Sequence, residues 1–453
     1  MIIKRSLYHA FRGFFSFTRW MGRRFTPAGL LVGFGLCFSA FLGLDTRRSL
    51  AYQIFTLLAC LVALAVAAGL LFRGRFQAER ILPKFGTVGM PLNYRVVIRN
   101  TGAKPLSNLL LFEDFEDPRP DFQTFIRNPE PGEARRNRID RFLGYYRWTW
   151  LISNIRRTPI RPHPVDPIPA GGRTTVHVET IPSRRGVHRF TGISIGRPDP
   201  LGLFLGMVSL SLPQPLVVLP RRYPLPPIRL PGTRKYQSGG VALTSSVGDS
   251  EEFISLRDYR PGDPLRRIHW KSWAKTGRPV VKEYQSEFYV RHALILDTFQ
   301  EAAFSPKFEE AVSVAASFAF TVGTQESLLD LMFIGSQAYC FTSGRSLGEM
   351  NHTLEVLASV KPCRSRSFQT LAALVIERGP ALSGCVCVLL SWDQDRRNMI
   401  AGLRRIGIPV LVLVVTDGET SDSKTGDLGP MADAPEFFHR LKTGTIGEGL
   451  ARL

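Results

Sequence analysis

The sequence predicts three parts: two N-terminal transmembrane helices, an all-β, sandwich-like middle domain, and an α/β doubly wound C-terminal domain. Three observations predict them. Two uncharged apolar runs, residues 27–44 and 51–72, lie close together near the N-terminus. Short alternating runs separated by Pro and Gly follow. Near-continuous apolar runs alternating with helical spacing close the chain, the pattern of a parallel sheet covered on both faces. The expected bounds are 1–26 for a basic cytoplasmic N-terminus, 27–72 for the hairpin, 73–240 for the β-rich domain, 241–290 for a charged aromatic segment, 291–416 for the α/β domain and 417–453 for a tail.

The spans come first. An apolar helix of about 20 residues crosses the hydrocarbon core of a bilayer, and each run approaches that length. Residues 45–50 make a short connection with Arg47 and Arg48 at its tip. A cleaved signal peptide fits less well, because a second span follows at once and no small-x-small site ends the first. Six Lys/Arg and no acids precede the first run, and Arg73, Arg75, Arg80 and Lys84 follow the second. The positive-inside rule then places both ends, and everything after residue 73, in the cytoplasm.

Charge supports the same partner. The formal net charge is +20, and twelve Lys/Arg against Asp45 and Glu79 place half of that excess in residues 1–84. No RNP-type aromatic signature or Cys/His finger spacing appears, so no nucleic-acid partner is expected. With 44% hydrophobic residues the chain has apolar surface enough to fold. Six Cys without a C-x-x-C read as buried small hydrophobes in a reducing compartment.

In the middle region, residues 92–100 and 173–181 alternate apolar and polar, 108–113 forms a similar run, and 216–219 is short and flanked by prolines. Gly192-Ile193-Ser194-Ile195-Gly196 matches a nucleophile elbow. That motif needs a helix after its serine, and Pro198 and Pro200 forbid one. Residues 135–163 stand out as an insertion in which arginines surround Phe142, Tyr145, Tyr146, Trp148 and Trp150. Two readings stay open. Tyr145, Tyr146, Trp148 and Trp150 sit at a membrane interface, or the segment is a strand pair with solvated arginines.

Residues 251–287 combine dense charge with Tyr259, Trp270, Trp273 and Tyr284. Arg257, Asp258, Arg260, Asp263, Arg266 and Arg267 offer bidentate pairs that would lock an extended segment, and Pro261-Gly262-Asp263 reads as a turn. The run Arg257, Asp258, Tyr259, Pro261, Gly262, Asp263, Arg266, Arg267, Ile268, Trp270, Lys271, Ala274, Lys275, with Lys282, Glu283 and Tyr284 after it, resembles the signature of the domain of unknown function 58 (DUF-58) family. His269 and Pro264 stand where that pattern carries acids. Asp199-Pro200-Leu201-Gly202-Leu203-Phe204 resembles a second motif of the family, and the two apolar runs also fit it. The signature residues are expected to be structural or partner-binding.

The resemblance implies a von Willebrand factor type A-like domain after the signature. Read unaided, residues 292–298, 328–334, 384–391 and 409–416 are strands, while 307–322, 346–360 and 394–406 are helices. The tail after 416 is left outside the fold. Type A domains that hold a metal end their first strand in D-x-S-x-S, whose oxygens bind a hard cation. Here Asp297-Thr298-Phe299-Gln300-Glu301 places Phe299 and Glu301 at the serine positions. Asp297, Glu301 and Asp393 are degenerate candidates, with Thr370 nearby, and no metal or other cofactor is expected.

No H-E-x-x-H, no phosphate-binding Gly-rich loop and no triad spacing is present. The resemblance implies an adaptor in the bacterial cytoplasmic membrane. Its expected partners are the lipid bilayer, a MoxR-type AAA+ ATPase and unidentified protein clients in a chaperone-like complex. The alternative is an enzyme, such as a metal-dependent hydrolase at the inner leaflet.

Overall fold

The computed structural model describes residues 2–42, 49–156, 158, 161–226, 252–263, 265–285, 290–323, 327–343, 347–417 and 428–453. Two compact units divide the chain. One holds Met1–Arg221 with Ala302–Ser305 and Leu354–Val360, and the other holds the remainder.

The first unit begins with α1 (Ile2–Arg24), a helix where the sequence suggested only a basic flank. Two apolar helices follow, α2 (Pro27–Leu42) and α3 (Ser49–Leu70), and they pack on each other. Within α3, Leu50–Leu70 is long and apolar enough to cross a membrane. At 16 residues α2 rises about 24 Å, short of the roughly 30 Å hydrocarbon core. Most of the turn expected at 45–50 lies outside the described residues.

Two sheets follow. β1 (Phe76–Ile81), β3 (Leu92–Asn100) and β6 (Arg173–Thr180) form one, with β3 central and antiparallel to both neighbours. The other has the order β2-β8-β7-β4-β5, from β2 (Phe85–Thr87), β8 (Leu205–Leu219), β7 (Gly186–Pro198), β4 (Leu109–Phe115) and β5 (His163–Val165). Alternate residues of both sheets share one core: Tyr94, Val96 and Ile98 of β3 meet Ile193 and Ile195 of β7 and Leu111 of β4. Strand alternation points one side chain in two inward, and that was the periodicity legible in the sequence. β8 runs through Pro213 and Pro215 because β2 flanks it only from Val217 onward. Before that point β8 is an edge strand, where a missing N–H leaves no ladder bond unmade.

The middle domain is not all-β. Between β4 and β5 the chain forms α4 (Phe122–Arg127), α5 (Arg138–Leu143) and α6 (Tyr145–Ile155). The strand pair expected for the aromatic segment is therefore corrected to helix. Gly144, at φ 70°, ends α5 and starts α6, a conformation that favours glycine. Trp148, Leu151 and Ile152 then recur at i, i+3 and i+4 and bury together.

In the second unit, β9 (Glu252–Asp258) and β10 (Val280–Gln285) pair antiparallel, with α7 (Trp270–Thr276) between them in sequence. The remaining strands are β11 (Val290–Leu296), β12 (Ser327–Ile334), β13 (Ala338–Ser343), β14 (Gly384–Leu389), β15 (Val410–Thr416) and β16 (Phe438–Lys442). They form one sheet in the order β13-β12-β11-β14-β15-β16, parallel except for the edge strand β13. The helices are α8 (Pro306–Gly323), α9 (Leu347–Ser359), α10 (Gln369–Arg378), α11 (Gln394–Arg405) and α12 (Ile446–Leu450). α10 and α11 cover the face carrying Ile295, Cys387 and Val412. α8 packs on β11, β12, β14 and β15, so the alternate residues of those strands are buried as well. Every residue of β14 is buried, which is why it reads as an unbroken apolar run. The residues after 416 are not outside the fold: β16 pairs parallel with β15, and Leu441 and Leu450 are buried. Its Phe-His-Arg-Leu-Lys alternation hides an edge strand whose outer side chains are polar.

Candidate functional site

The DUF-58-like segment forms around one carboxylate. Both oxygens of Asp263 accept from Arg257, Nη1 and Nη2 each at 2.7 Å, and Oδ2 also accepts the Arg260 N–H at 2.9 Å. The Asp263 N–H returns to the Arg260 carbonyl at 3.0 Å, closing the turn in which Gly262 has φ 107°. Hydrogen bonds from Arg257 and the Arg260 N–H pull the Asp263 carboxyl down to about 2. The Tyr259 N–H donates to Pro279, and His269 N–H to Val280, so the turn is tied across to β10. Ile268, Val280 and Val281 bury beneath it.

The other signature residues divide between surface and partial burial. Asp258, Pro261, Gly262, Arg266 and Lys271 are exposed, while Tyr259, Arg267 and Lys282 are half-buried. Glu283 pairs through its backbone with Ser255, and its side chain, like the position of Pro264, lies outside the described residues. Trp270 is 63% exposed and stacks on Trp273 at 5.2 Å between centroids. The structural locking expected of Asp263 is thus local, made with Arg257, and leaves Trp270 with Arg266 and Lys271 at the surface.

The second candidate lies at the C-terminal ends of β11 and β14. Strand order reverses between these two, which is where open α/β sheets gather ligands. Asp297 is fully buried there. Its Oδ1 accepts the Phe299 N–H at 3.0 Å, and its Oδ2 accepts the Leu390 N–H at 3.1 Å. Arg396 of α11 reaches the same Oδ2 with Nε at 2.9 Å and meets Asp393 Oδ2 with Nη1 at 2.5 Å. Asp393 also caps α11 by accepting the Arg396 N–H, and it accepts from the Ser391 hydroxyl at 3.0 Å.

Burial pushes the Asp297 carboxyl up against the pull of Arg396 and the two backbone N–H groups. The Arg396 guanidinium lies 4.3 Å from the Phe368 ring centroid, and Phe299 meets Phe368 edge-on at 5.6 Å. Asp297 and Asp393 do come together, as the sequence suggested, but around a guanidinium. Glu301 is exposed and joins neither of them. The Thr298 hydroxyl is spent on the Ile334 carbonyl at 2.5 Å. Among the described residues, no group of three or more His, Cys, Asp or Glu is placed to hold a metal ion.

The interface expected of the aromatic helix is corrected at Trp148. Trp148 is 3% exposed, packed with Tyr8, Phe125, Leu151 and Ile152, and Trp150 lies partly buried against the same cluster. Arg136 pairs with Glu130 at 2.9 Å and Arg147 with Glu133, so local acids satisfy part of the basic rim. Tyr145 and Tyr146 remain exposed.

Ser194 lies inside β7. It donates to Asp114 at 2.6 Å and shares a hydrogen bond with Ser209 at 2.9 Å.

The Asp199–Phe204 motif carries a role that sequence reasoning missed. Buried Asp199 accepts three backbone N–H groups, from Leu201 at 2.8 Å, Leu203 at 2.7 Å and Phe204 at 2.6 Å. The loop so wound pushes Leu203 and Phe204 among Phe25, Val32, Leu61, Ala65 and Val66 at one end of the apolar helices. Thr26 completes the joint. Its N–H donates to Leu203, its hydroxyl donates to Gly202 at 2.6 Å, and that hydroxyl accepts the Gly29 N–H at 3.0 Å. The D-P-x-G spacing was the available signal, an Asp followed by a turn glycine.

Residues 255–431 match the family described as Protein of unknown function DUF58. That region includes the Asp263 turn and the Asp297–Arg396 pair. Over 178 residues the chain is 28% identical to the Uncharacterized protein YeaD of Bacillus subtilis (strain 168), covering 38% of this chain and 42% of that protein. The match therefore spans less than half of that relative. Among solved structures, the CARDB domain of the PF1109 protein from Pyrococcus furiosus aligns with a TM-score of 0.17 and 10% identity, over 32% of this chain and 89% of that one. A beta-glucosidase from Listeria innocua aligns with a TM-score of 0.17 and 13% identity, over 32% of this chain and 16% of that one.

Proposed function

We propose that this chain is a membrane-anchored, cytoplasm-facing docking protein. On this reading α2 and α3 are a transmembrane hairpin, the C-terminal unit is a von Willebrand factor type A-like domain, and the DUF58 segment binds a partner. The observation that carries it is Trp270, which stands at the surface, with Arg266 and Lys271 also exposed, in a segment pinned by the Asp263–Arg257 pair. Exposed aromatic anchors on rigid backbone, rimmed by cations, are where interface energy concentrates. An acidic surface complements that rim, and the family resemblance suggests a MoxR-type AAA+ ATPase. The strand order 3-2-1-4-5-6 in units of this sheet, with its third strand antiparallel, supports the type A-like reading. The guanidinium between Asp297 and Asp393 supports binding over metal-assisted hydrolysis, because a cation already neutralises both carboxylates.

The test is binding of the intact protein in detergent to the MoxR-type ATPase of the same cell. Trp270→Ala is expected to weaken that binding roughly 30-fold or more, the size of a hot-spot loss of about 2 kcal/mol, while leaving the thermal midpoint unchanged. Equal affinity for the variant and the parent removes the DUF58 segment as the docking face.

A further inference from the structure

α1 has two faces that a plain basic flank would not need. Tyr8, Phe11 and Phe15 pack on the cluster built by α4 and α6. Phe14, Phe17 and Trp20 stay exposed, with Phe17 and Trp20 stacked. Near its C-terminal end the helix overlies β7 and β8, leaving a cavity of about 290 Å³ lined by Arg19, Arg23, Arg24, Arg119, Ser194 and Ser209. At about 30 Å³ per water, that is room for a phosphate with its ester carbons. Four guanidinium groups and, with that of Ser16, three hydroxyls line it; no carboxylate is among the described lining residues, and Asp114 behind it takes the Ser194 hydroxyl.

The charges around the cavity are only partly answered. Arg23 gives Nη2 to Asp114 at 2.5 Å, but its Nε is buried without an acceptor. Arg119 is held by Asp117 and donates Nη1 to Ser16 at 2.6 Å. Arg19 is half-buried and has no hydrogen bond or ion pair among the described residues. Burial, and then the neighbouring charge of Arg23, depress its basicity, against a weaker opposing pull from Asp117 and Asp114. A helix C-terminus favours cations in its last turn, which accounts for Arg23 and Arg24. It does not account for Arg19, a turn earlier and partly desolvated, whose nearby carboxylates Asp114 and Asp117 are already paired with Arg23 and Arg119. Burying such a cation costs stability unless an anion joins it. Arginine clusters of this kind match phosphate oxygens bidentately.

The place decides which phosphate. Two residues, Phe25 and Thr26, separate α1 from the apolar helix α2. The exposed Phe14, Phe17 and Trp20 are aromatic rings of the kind that gain at the headgroup boundary. We propose that this cavity is a phosphate-anion site that takes the headgroup of an anionic phospholipid. The anion site stands on its own geometry, and only the lipid source rests on the membrane-anchored reading above.

The test uses the full chain in a neutral maltoside detergent, with native mass spectrometry and thermal unfolding as readouts. Phosphatidylglycerol is expected to be retained at one per chain, at least tenfold over phosphatidylcholine of the same acyl chains, and to raise the thermal midpoint. Arg19→Gln should lower retention at least tenfold and abolish that rise, while Arg173→Gln, at an exposed position of β6, should change neither. Arg19→Gln should also leave the midpoint of the lipid-free protein unchanged or higher, because it removes a desolvated cation. Arg19→Lys, which keeps the charge, should keep part of the retention.

Equal retention of the two lipids, or equal retention by the parent and Arg19→Gln, overturns the proposal. So does a lower lipid-free midpoint in Arg19→Gln, which would make the residue structural. If inorganic phosphate stabilises the protein as well as phosphatidylglycerol does, the site is one for a soluble phosphate and the lipid assignment fails. A chain that stays dispersed without detergent would instead sink the anchor reading and leave the anion results readable.

Discussion

Arg396 grips Oδ2 of Asp297 with Nε and Nη2, both at 2.9 Å, across 99 residues of sequence. The pair ties the first helix after β14 to the end of the central strand β11. Removing the arginine alone would strand a fully buried carboxylate. Arg396→Ala is expected to lose about 3–5 kcal/mol in denaturant unfolding. The double change Asp297→Leu with Arg396→Met should recover most of that loss. Arg396→Ala should also gain a thermal shift with millimolar Mg²⁺ that the parent lacks, since two carboxylates then face a vacated cation position. A variant as stable as the parent would mean that the pair holds nothing.

Asp263 makes a pH prediction. Its folded-state carboxyl is depressed to about 2 by Arg257 and the Arg260 N–H, against about 3.9 for a free Asp. A depressed acid stabilises the fold fully above its unfolded value and loses that contribution as pH falls through its folded value. The stability difference between the parent and Asp263→Asn should therefore be constant above about pH 4.5 and shrink to nothing toward pH 2. Urea midpoints measured across that range would show it, and a difference that ignores pH would refute the pairing.

Trp148 separates core from interface. Because it is buried in the α1–α4–α6 cluster, Trp148→Ala should cost about 3–5 kcal/mol. Folded Trp148→Ala protein should bind anionic vesicles as the parent does. Lost vesicle binding at unchanged stability would restore the interfacial reading of this helix.

Asp199→Ala leaves three backbone N–H groups without their acceptor. We expect a loss of about 1–3 kcal/mol, with protease cleavage appearing within residues 199–204. Asp199→Asn, which keeps one acceptor oxygen, should lie between the parent and the alanine variant. An alanine variant that resists cleavage as well as the parent would show that the loop is wound by its packing alone.

Much of the α/β sheet was legible because β11, β14 and β15 are buried on both faces and cannot hide among polar residues. β13 and β16 escaped because edge strands alternate and are short. The helical insertion was misread for a different reason. Its rings invite a strand or interface reading, while the decisive spacing of Trp148, Leu151 and Ile152 is only three residues deep. At the candidate sites, Arg257 and Asp263 lie six residues apart, so a bidentate pair could be guessed. The partner of Asp297 could not, because nothing local in the sequence brings residue 396 to residue 297. The cavity on α1 was hidden likewise, since Arg119, Ser194 and Ser209 reach it only through the fold of β7 and β8.

The joint between the apolar helices and the β-sandwich is built from main chain. A Cβ on Gly29 would overlap the Leu203 carbonyl, and one on Gly206 would overlap the Gly69 carbonyl. Side chains can be repacked against a new neighbour, but two backbones in direct apposition cannot. The apparent cut between the apolar helices and the sheets, at residue 72 or 73, is therefore a poor place to divide the molecule. Joining the sheets to a foreign helix pair would leave Leu203 and Phe204 without a socket. A truncation intended to yield a soluble fragment would carry that exposed pair as a sticky end.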